Sequence, residues 1–214
     1  MPLARFVSDA FQRNLQMKQL YPDLWQTRPE HPFGPEMSTH AYLLTRSTGN
    51  VLFYNSACPD EYDQIGQLGG LAFQFLSHRH EAGKNLEQIR ELFHNKLCCH
   101  KREEGAIAKA SPVDVVFEQR GVYADDVEVI PTPGHTVGSV CFLYKSPHGK
   151  TYLFTGDTIF PEHDSWGTYV SWLQKSVLAK SLGLLRNLDP DVVISSGSVG
   201  QFSLRCRLGN GTMY

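Results

Sequence analysis

A chain of 214 residues with 41% hydrophobic residues is long enough to bury a sizeable core, and 20 Lys plus Arg against 22 Asp plus Glu leave a net charge of only −2. That balance excludes the basic signature of a nucleic-acid binder, and no apolar run approaches the ~20 residues of a membrane span. Five cysteines (Cys58, Cys98, Cys99, Cys141, Cys206) are odd in number and two are adjacent, which favours free thiols in a reducing compartment. With no basic stretch leading into an apolar segment at the start, a soluble cytoplasmic protein is expected.

The predicted elements alternate along the chain. Arg5 to Leu20 reads as an amphipathic helix with Ser8 or Asp9 as its cap, and residues 27 to 39, rich in Pro, Gly and His, as a loop. Ala41 to Leu44 and Val51 to Tyr54 pair as strands around the turn Ser47-Thr48-Gly49-Asn50. A short helix over Pro59 to Leu68 precedes a buried strand over Leu71 to Leu76. Asn85 to His94 puts Leu86, Ile89, Leu92 and Phe93 on one helical face. Strands follow at Leu97 to Cys99, Val113 to Phe117, Val127 to Ile130, Val140 to Tyr144 and Tyr152 to Phe154. Trp172 to Leu188 is the clearest helix, ended by Asp189-Pro190, and Val192 to Ile194 is a last strand. No linker, repeat or low-complexity tract divides the chain, so residues 1–214 are taken as one domain. Hairpins first and alternation with helices later suggest two sheets with helices outside.

Three segments at strand ends carry the chemistry. In Ser77-His78-Arg79-His80-Glu81, imidazoles two residues apart in extended chain face one point, and neutral imidazole is the commonest metal ligand. His135 sits on the turn Thr132-Pro133-Gly134-His135-Thr136-Val137-Gly138-Ser139, where glycine allows a sharp bend and Thr136 and Ser139 can orient the ring. Asp157, after Phe154-Thr155-Gly156, is a carboxylate at the edge of a buried strand, costly unless paired or coordinated. Each alone has an ordinary reading: a surface His pair, a solvated turn, a helix cap. Together they could converge on one metal ion.

In combination the segments resemble the metallo-β-lactamase superfamily over roughly residues 39 to 197. Thr132 to Ser139 and Gly156-Asp157-Thr158-Ile159-Phe160 look most like its glyoxalase II-like, hydroxyacylglutathione hydrolase branch. The resemblance implies an α/β fold, a four-layer αββα sandwich of two mixed sheets with helices outside and a metal site along one edge. It also implies hydrolysis by a metal-bound hydroxide. The family motif His-x-His-x-Asp-His is incomplete: Ala82 and Gly83 stand where Asp and His belong, and Ser195-Ser196-Gly197-Ser198 carries no imidazole after the last strand. His78, His80 and His135 therefore imply a single ion, zinc in the first place with iron or manganese as options, and Asp157 as metal-bound and catalytic. Glu81, next to His80, is a candidate replacement base or ligand, and His163 and Asp164 are candidate substitutes from the next loop. The long helical extension that binds glutathione in true hydroxyacylglutathione hydrolases is not seen, and the tail from Gln201 to Tyr214 reads as an edge strand or an altered end. The expected function is hydrolysis of a small ester, thioester or lactone, with a small acyl molecule as partner, neither nucleic acid nor membrane, and a homodimer as an option. The competing reading is a metal-poor family member, catalytically impaired, that binds a ligand or partner.

Overall fold

The computed structural model describes residues 16–200 and the backbone of 204–208 and 212–213. The chain opens on β1 (Lys18–Tyr21) and β2 (Leu24–Gln26), passes β3 (Met37–Thr39), and forms a hairpin of β4 (Tyr42–Leu44) and β5 (Val51–Phe53). Next come α1 (Tyr62–Gln67), β6 (Phe73–Phe75), α2 (Asn85–Phe93), β7 (Lys96–His100), α3 (Lys101–Ile107) and β8 (Val115–Phe117). The second half holds β9 (Gly121–Tyr123), β10 (Val127–Pro131), β11 (Val140–Lys145), β12 (Thr151–Gly156), β13 (Phe160–Glu162) and β14 (Ser165–Gly167). It ends with α4 (Lys175–Leu185), β15 (Val192–Ser195), β16 (Gly197–Val199), β17 (Leu204–Leu208) and β18 (Thr212–Met213).

Two seven-stranded sheets face each other, ordered β1-β2-β4-β5-β6-β7-β8 and β18-β17-β15-β12-β11-β10-β9. Both are mixed: β5 to β8 run parallel in the first, and β12 pairs parallel with β15 in the second. Side-chain alternation divides each strand between two cores. Tyr152 and Phe154 point inward, where Phe154 stacks on Phe53 with ring centroids 3.8 Å apart. Leu153 points outward with Leu143 and Val193 and packs against Leu185 of α4. On the other flank, Leu43 and Leu52 bury against Ile65 of α1 and Ile89 of α2, and Leu97 and Cys99 against Ile107 of α3. The layers are helix, sheet, sheet, helix, as the sequence pattern implies.

Several elements depart from expectation. Lys18–Tyr21 is a strand rather than the end of a helix, because a tight turn folds it onto β2 with Lys18 opposite Gln26; residues 5–15 of that predicted helix lie outside the described residues. Met37–Thr39, read as loop, forms a strand against β16, a partner some 160 residues away. It belongs to a third sheet, β14-β13-β16-β3, that local periodicity could not announce. The Trp172 segment starts as a 3-10 turn over Trp172–Gln174 before α4 begins. α3 went unpredicted; the His100 side chain caps it by accepting the Arg102 amide. The described part of the tail adds two strands to the sheet: β17 pairs antiparallel with β15, and β18 lies outside it at the edge.

Candidate metal centre

The histidines lie where strands end. β6 delivers His78, and a single 3-10 turn over Arg79–Glu81 follows it. β10 delivers His135 across the sandwich, and β12 delivers Asp157. Gly134 (φ +152°) lets its turn press on α4: a Cβ there would stand 2.7 Å from the Cβ of Leu178. Gly156 (φ +52°) is equally constrained, since a Cβ would fall 2.1 Å from Ser77 Oγ. These two glycines bring the segments of the site close enough to meet.

One nitrogen from each of His78, His80 and His135 lies within 4.8 Å of the other two. Hydrogen bonds fix which nitrogen faces inward. His135 Nδ1 is 2.7 Å from the Tyr169 carbonyl, which can only accept, so Nδ1 carries the proton and Nε2 the lone pair. That Nε2 sits 3.0 Å from His80 Nδ1. His78 Nδ1 is 3.1 Å from Glu81 Oε1 and 2.9 Å from Ser77 Oγ. The Ser77 hydroxyl itself donates to Glu81, and the Ser77 amide donates to Glu81 Oε2 at 2.8 Å. His78 Nδ1 therefore donates to the carboxylate and Nε2 turns to Asp157.

His78 Nε2 is buried and makes no hydrogen bond, although Asp157 Oδ2 lies 3.3 Å away and off its axis. The same Oδ2 is 3.5 Å from His135 Nε2. Lone pairs from two imidazoles and one carboxylate thus converge, an arrangement a cation completes. Burial alone would lower the His78 pKa, but the charges of Asp157 and then Glu81 outweigh it and raise it to about 10. Asp157 is likewise pushed up by burial yet held well below the ordinary carboxylate range, chiefly by His78. Burial and the neighbouring His78 and His135 keep His80 lowered, hence neutral. The residues fit a divalent ion of the kind imidazole and carboxylate favour: tetrahedral Zn–N bonds of ~2.1 Å put ligand atoms ~3.4 Å apart, near the 3.0, 3.3 and 3.5 Å found.

All four predicted residues, His78, His80, His135 and Asp157, are together. Glu81 lines the cavity over the imidazoles, and its carboxylate turns back onto Ser77 and His78. His163 and Asp164 form the β13–β14 turn, with the His163 amide on the Val199 carbonyl at 2.9 Å. Neither is among the residues lining the cavity of about 220 Å³ that opens over the imidazoles. Its wall includes Tyr54, Asn55, Ala82, Gly83, Asn85 and Ser196. Position 83 has no positive φ; what crowds it is Asn85 Oδ1, 2.7 Å from where a Cβ would be. Gly197 faces away, its notional Cβ 2.9 Å from Met37, so Ser196 is the residue of the last turn that reaches the site, donating to Asp157 Oδ1.

Sequence reasoning missed Tyr54, whose hydroxyl donates to the Ile194 carbonyl at 3.0 Å and accepts from the Gly156 amide at 2.9 Å, pinning the turn before Asp157. It also missed Glu103, buried beneath the site. A tyrosine ending an apolar strand and a glutamate in a charged helix carry no local signal of such roles.

The family model of the metallo-beta-lactamase superfamily matches residues 62–197. The chain belongs to that superfamily. Among solved structures, it is similar to a Cronobacter sakazakii metallo-beta-lactamase with a HARLDQ motif, at 14% identity and TM-score 0.66, covering 88% of this chain and 81% of that one. The metallo-beta-lactamase SMB-1, in complex with mercaptoacetic acid, aligns at 16% identity and TM-score 0.65 over 85% and 79%. The enzyme GOB-18 from Elizabethkingia meningoseptica aligns at 15% and 0.64 over 85% and 76%. These likenesses establish the fold. No curated protein matches the chain significantly. The superfamily binds divalent metals, typically zinc. Among the described residues no helix is long and apolar enough to cross a membrane.

Proposed function

We propose that this protein is a hydrolase of a small ester, thioester or lactone that works with one zinc ion held by His78, His80 and His135, with Asp157 against it. The observation that carries the reading is the buried, unbonded His78 Nε2 facing Asp157 Oδ2 among converging imidazole lone pairs. Such an ion, when bound, supplies Lewis acidity that polarises a carbonyl and acidifies water. The chain's own groups set the rest. Glu81 accepts a hydrogen bond from His78 Nδ1–H and the Tyr169 carbonyl accepts one from His135 Nδ1–H, so both rings keep one tautomer. Asp157, steadied at Oδ1 by the Ser196 hydroxyl, leaves Oδ2 to accept a hydrogen bond from the attacking water and orient it. The cavity of about 220 Å³ suits a small acyl group.

A single ion is supported by the side chains at the positions of a second. Ala82 and Gly83 offer no ligand, Ser196 is committed to Asp157, and Asn85, locked to Asn55 by a 2.8 Å hydrogen bond, takes the space at position 83. The segments Thr132 to Ser139 and Gly156 to Phe160 favour the glyoxalase II-like branch. The unpaired thiols of Cys58, Cys98, Cys99 and Cys141 favour a cytoplasmic setting.

Metal analysis after purification without added metal, with a panel of nitrophenyl esters, thioesters and lactones before and after chelation, tests this. About one zinc per chain and chelator-sensitive hydrolysis are expected. A chain that takes up no zinc on titration and hydrolyses nothing overturns the reading in favour of a ligand-binding family member, and two tightly held ions overturn the mononuclear part.

A further inference from the structure

The two turns that carry the imidazoles come from different sheets, and one buried side chain grips both. Glu103, in the first turn of α3, is fully shielded from solvent. Its Oε2 accepts from the Arg79 amide at 3.1 Å and from Arg79 Nε, on the turn between His78 and His80. Its Oε1 accepts from Gly138 N at 2.7 Å and from Thr136 Oγ1 at 3.1 Å, on the turn of His135. Arg79 Nη2, 3.0 Å from Oε1, closes the fork. Oε2 thus serves the His78–His80 turn alone, and Oε1 serves the His135 turn together with the Arg79 guanidinium. The fit is close: a Cβ on Gly138 would lie 2.5 Å from Oε1.

We propose that Glu103 is a positioning residue that sets the distance between the His78–His80 turn and the His135 turn, and through it the affinity of the ion centre. This rests on the reading of that centre as a metal site. All five partners are donors, so only a group that accepts at both ends satisfies them. An amide cannot: its NH2 end must face either Arg79 or the Gly138 amide, and the turn on that side is released. Burial by itself would raise the Glu103 pKa, but Arg79, Thr136 and Gly138 outweigh it and hold it below its ordinary value, so the clasp is ionised at neutral pH.

The test compares wild type, Glu103→Gln, Thr136→Val and the double variant by chelator competition for Zn2+. His80 and His135 ring resonances in the metal-free proteins are followed alongside by nitrogen-15 NMR. Glu103→Gln is expected to bind Zn2+ roughly 10- to 100-fold more weakly, the range for residues that orient metal ligands. Thr136→Val should weaken it less, and add little in the Glu103→Gln background because its partner there is already lost. A stability defect without positioning would instead make the two changes additive and leave the ring resonances in place. A folded Glu103→Gln protein with wild-type zinc affinity overturns the proposal. Should Glu103→Gln fail to fold, Thr136→Val decides alone, and unchanged affinity and resonances in it overturn the proposal. Should wild type bind no Zn2+, the metal reading fails while the clasp is still decided: the ring resonances of the metal-free Glu103→Gln protein move if it exists and stay if it does not.

Discussion

The two ends of the sandwich are built from similar materials to opposite purpose. At the end where β2 and β12 begin, Asp23 is buried, but each oxygen has a donor: Tyr152 Oη at 2.8 Å and Ser146 Oγ at 2.6 Å. Arg46 is buried beside it and donates to the Gly49 and Ala124 carbonyls at 2.7 Å each and to Asp126. Asn50 closes the turn by donating to the carbonyls of Leu68 and Gly70. At the other end, burial leaves His78 Nε2 unbonded and sets two imidazole nitrogens 3.0 Å apart. The closed end has the larger cavity, about 610 Å³ against 220 Å³. Cavity size therefore does not mark the functional end; imidazole and carboxylate lone pairs that converge on one point do.

The sharpest way to break this comparison is to remove one imidazole. His135→Ala is expected to lower zinc affinity by at least ~1,000-fold and to abolish hydrolysis, since the one ligand from the second sheet is gone. The metal-free melting temperature should stay near wild type, because His135 is only partly buried and packs against no core cluster. Unchanged zinc affinity, measured by calorimetry, would remove His135 from the ligand set. Arg46→Met is the mirror experiment. It takes the donor from the Gly49 and Ala124 carbonyls, while Asp126 stays 42% exposed to water, and should cost about 2 kcal/mol of unfolding free energy in denaturant titration. Zinc affinity should not change, because Arg46 lies at the far end of the strands; a parallel loss would mean that the ends are coupled.

The same contrast explains what the sequence disclosed. Period-two alternation exposed the core strands, as in Tyr152, Leu153 and Phe154, whose side chains go to two different hydrophobic clusters. The His and Asp segments were legible because their chemistry is local: a glycine turn, then a ligand. The third sheet was not, since β3 is held by β16 across most of the chain's length. Glu81 shows the limit at the site itself. Treated as extended chain, it should point away from His78; the 3-10 turn over Arg79–Glu81 brings it back under the ring. The closed end was unreadable, because Asp23, Ser146 and Tyr152 are ordinary residues whose meeting depends on both sheets being in register.

A milder change sharpens the comparison further. Tyr152→Phe removes one of the two donors to buried Asp23 without changing shape, and should cost about 1–2 kcal/mol. Zinc affinity and hydrolysis should be untouched. Measured by thermal melts with and without zinc, the loss should be equal in both, as it is for a residue that does not sense the ion. A loss that vanishes on zinc addition would place Tyr152 in communication with the site.

The smallest expected effect lies at neither end and calibrates both. Asp114 accepts from Arg90 Nη2 at 2.8 Å and from the Leu97 amide at 2.8 Å, joining α2, β7 and the approach to β8. Arg90, first, and the Leu97 amide hold its carboxyl below the ordinary value of 3.8 against a smaller opposing effect of burial. The unfolded chain then binds a proton more readily than the folded one, so the stabilisation is fully present above about pH 5 and fades as pH falls below about 4. Both partners are partly solvated, which keeps the contribution near 1 kcal/mol. Asp114→Asn should lower stability by that amount at pH 7 and match wild type near pH 2, so urea midpoints across this range converge toward acid. The variant's zinc affinity at pH 7 should equal that of wild type. Curves that stay parallel down to pH 2 would show that the ion pair contributes no pH-dependent stability, and that the acid sensitivity of this fold comes from carboxylates such as Glu103 and Asp157 at the open end.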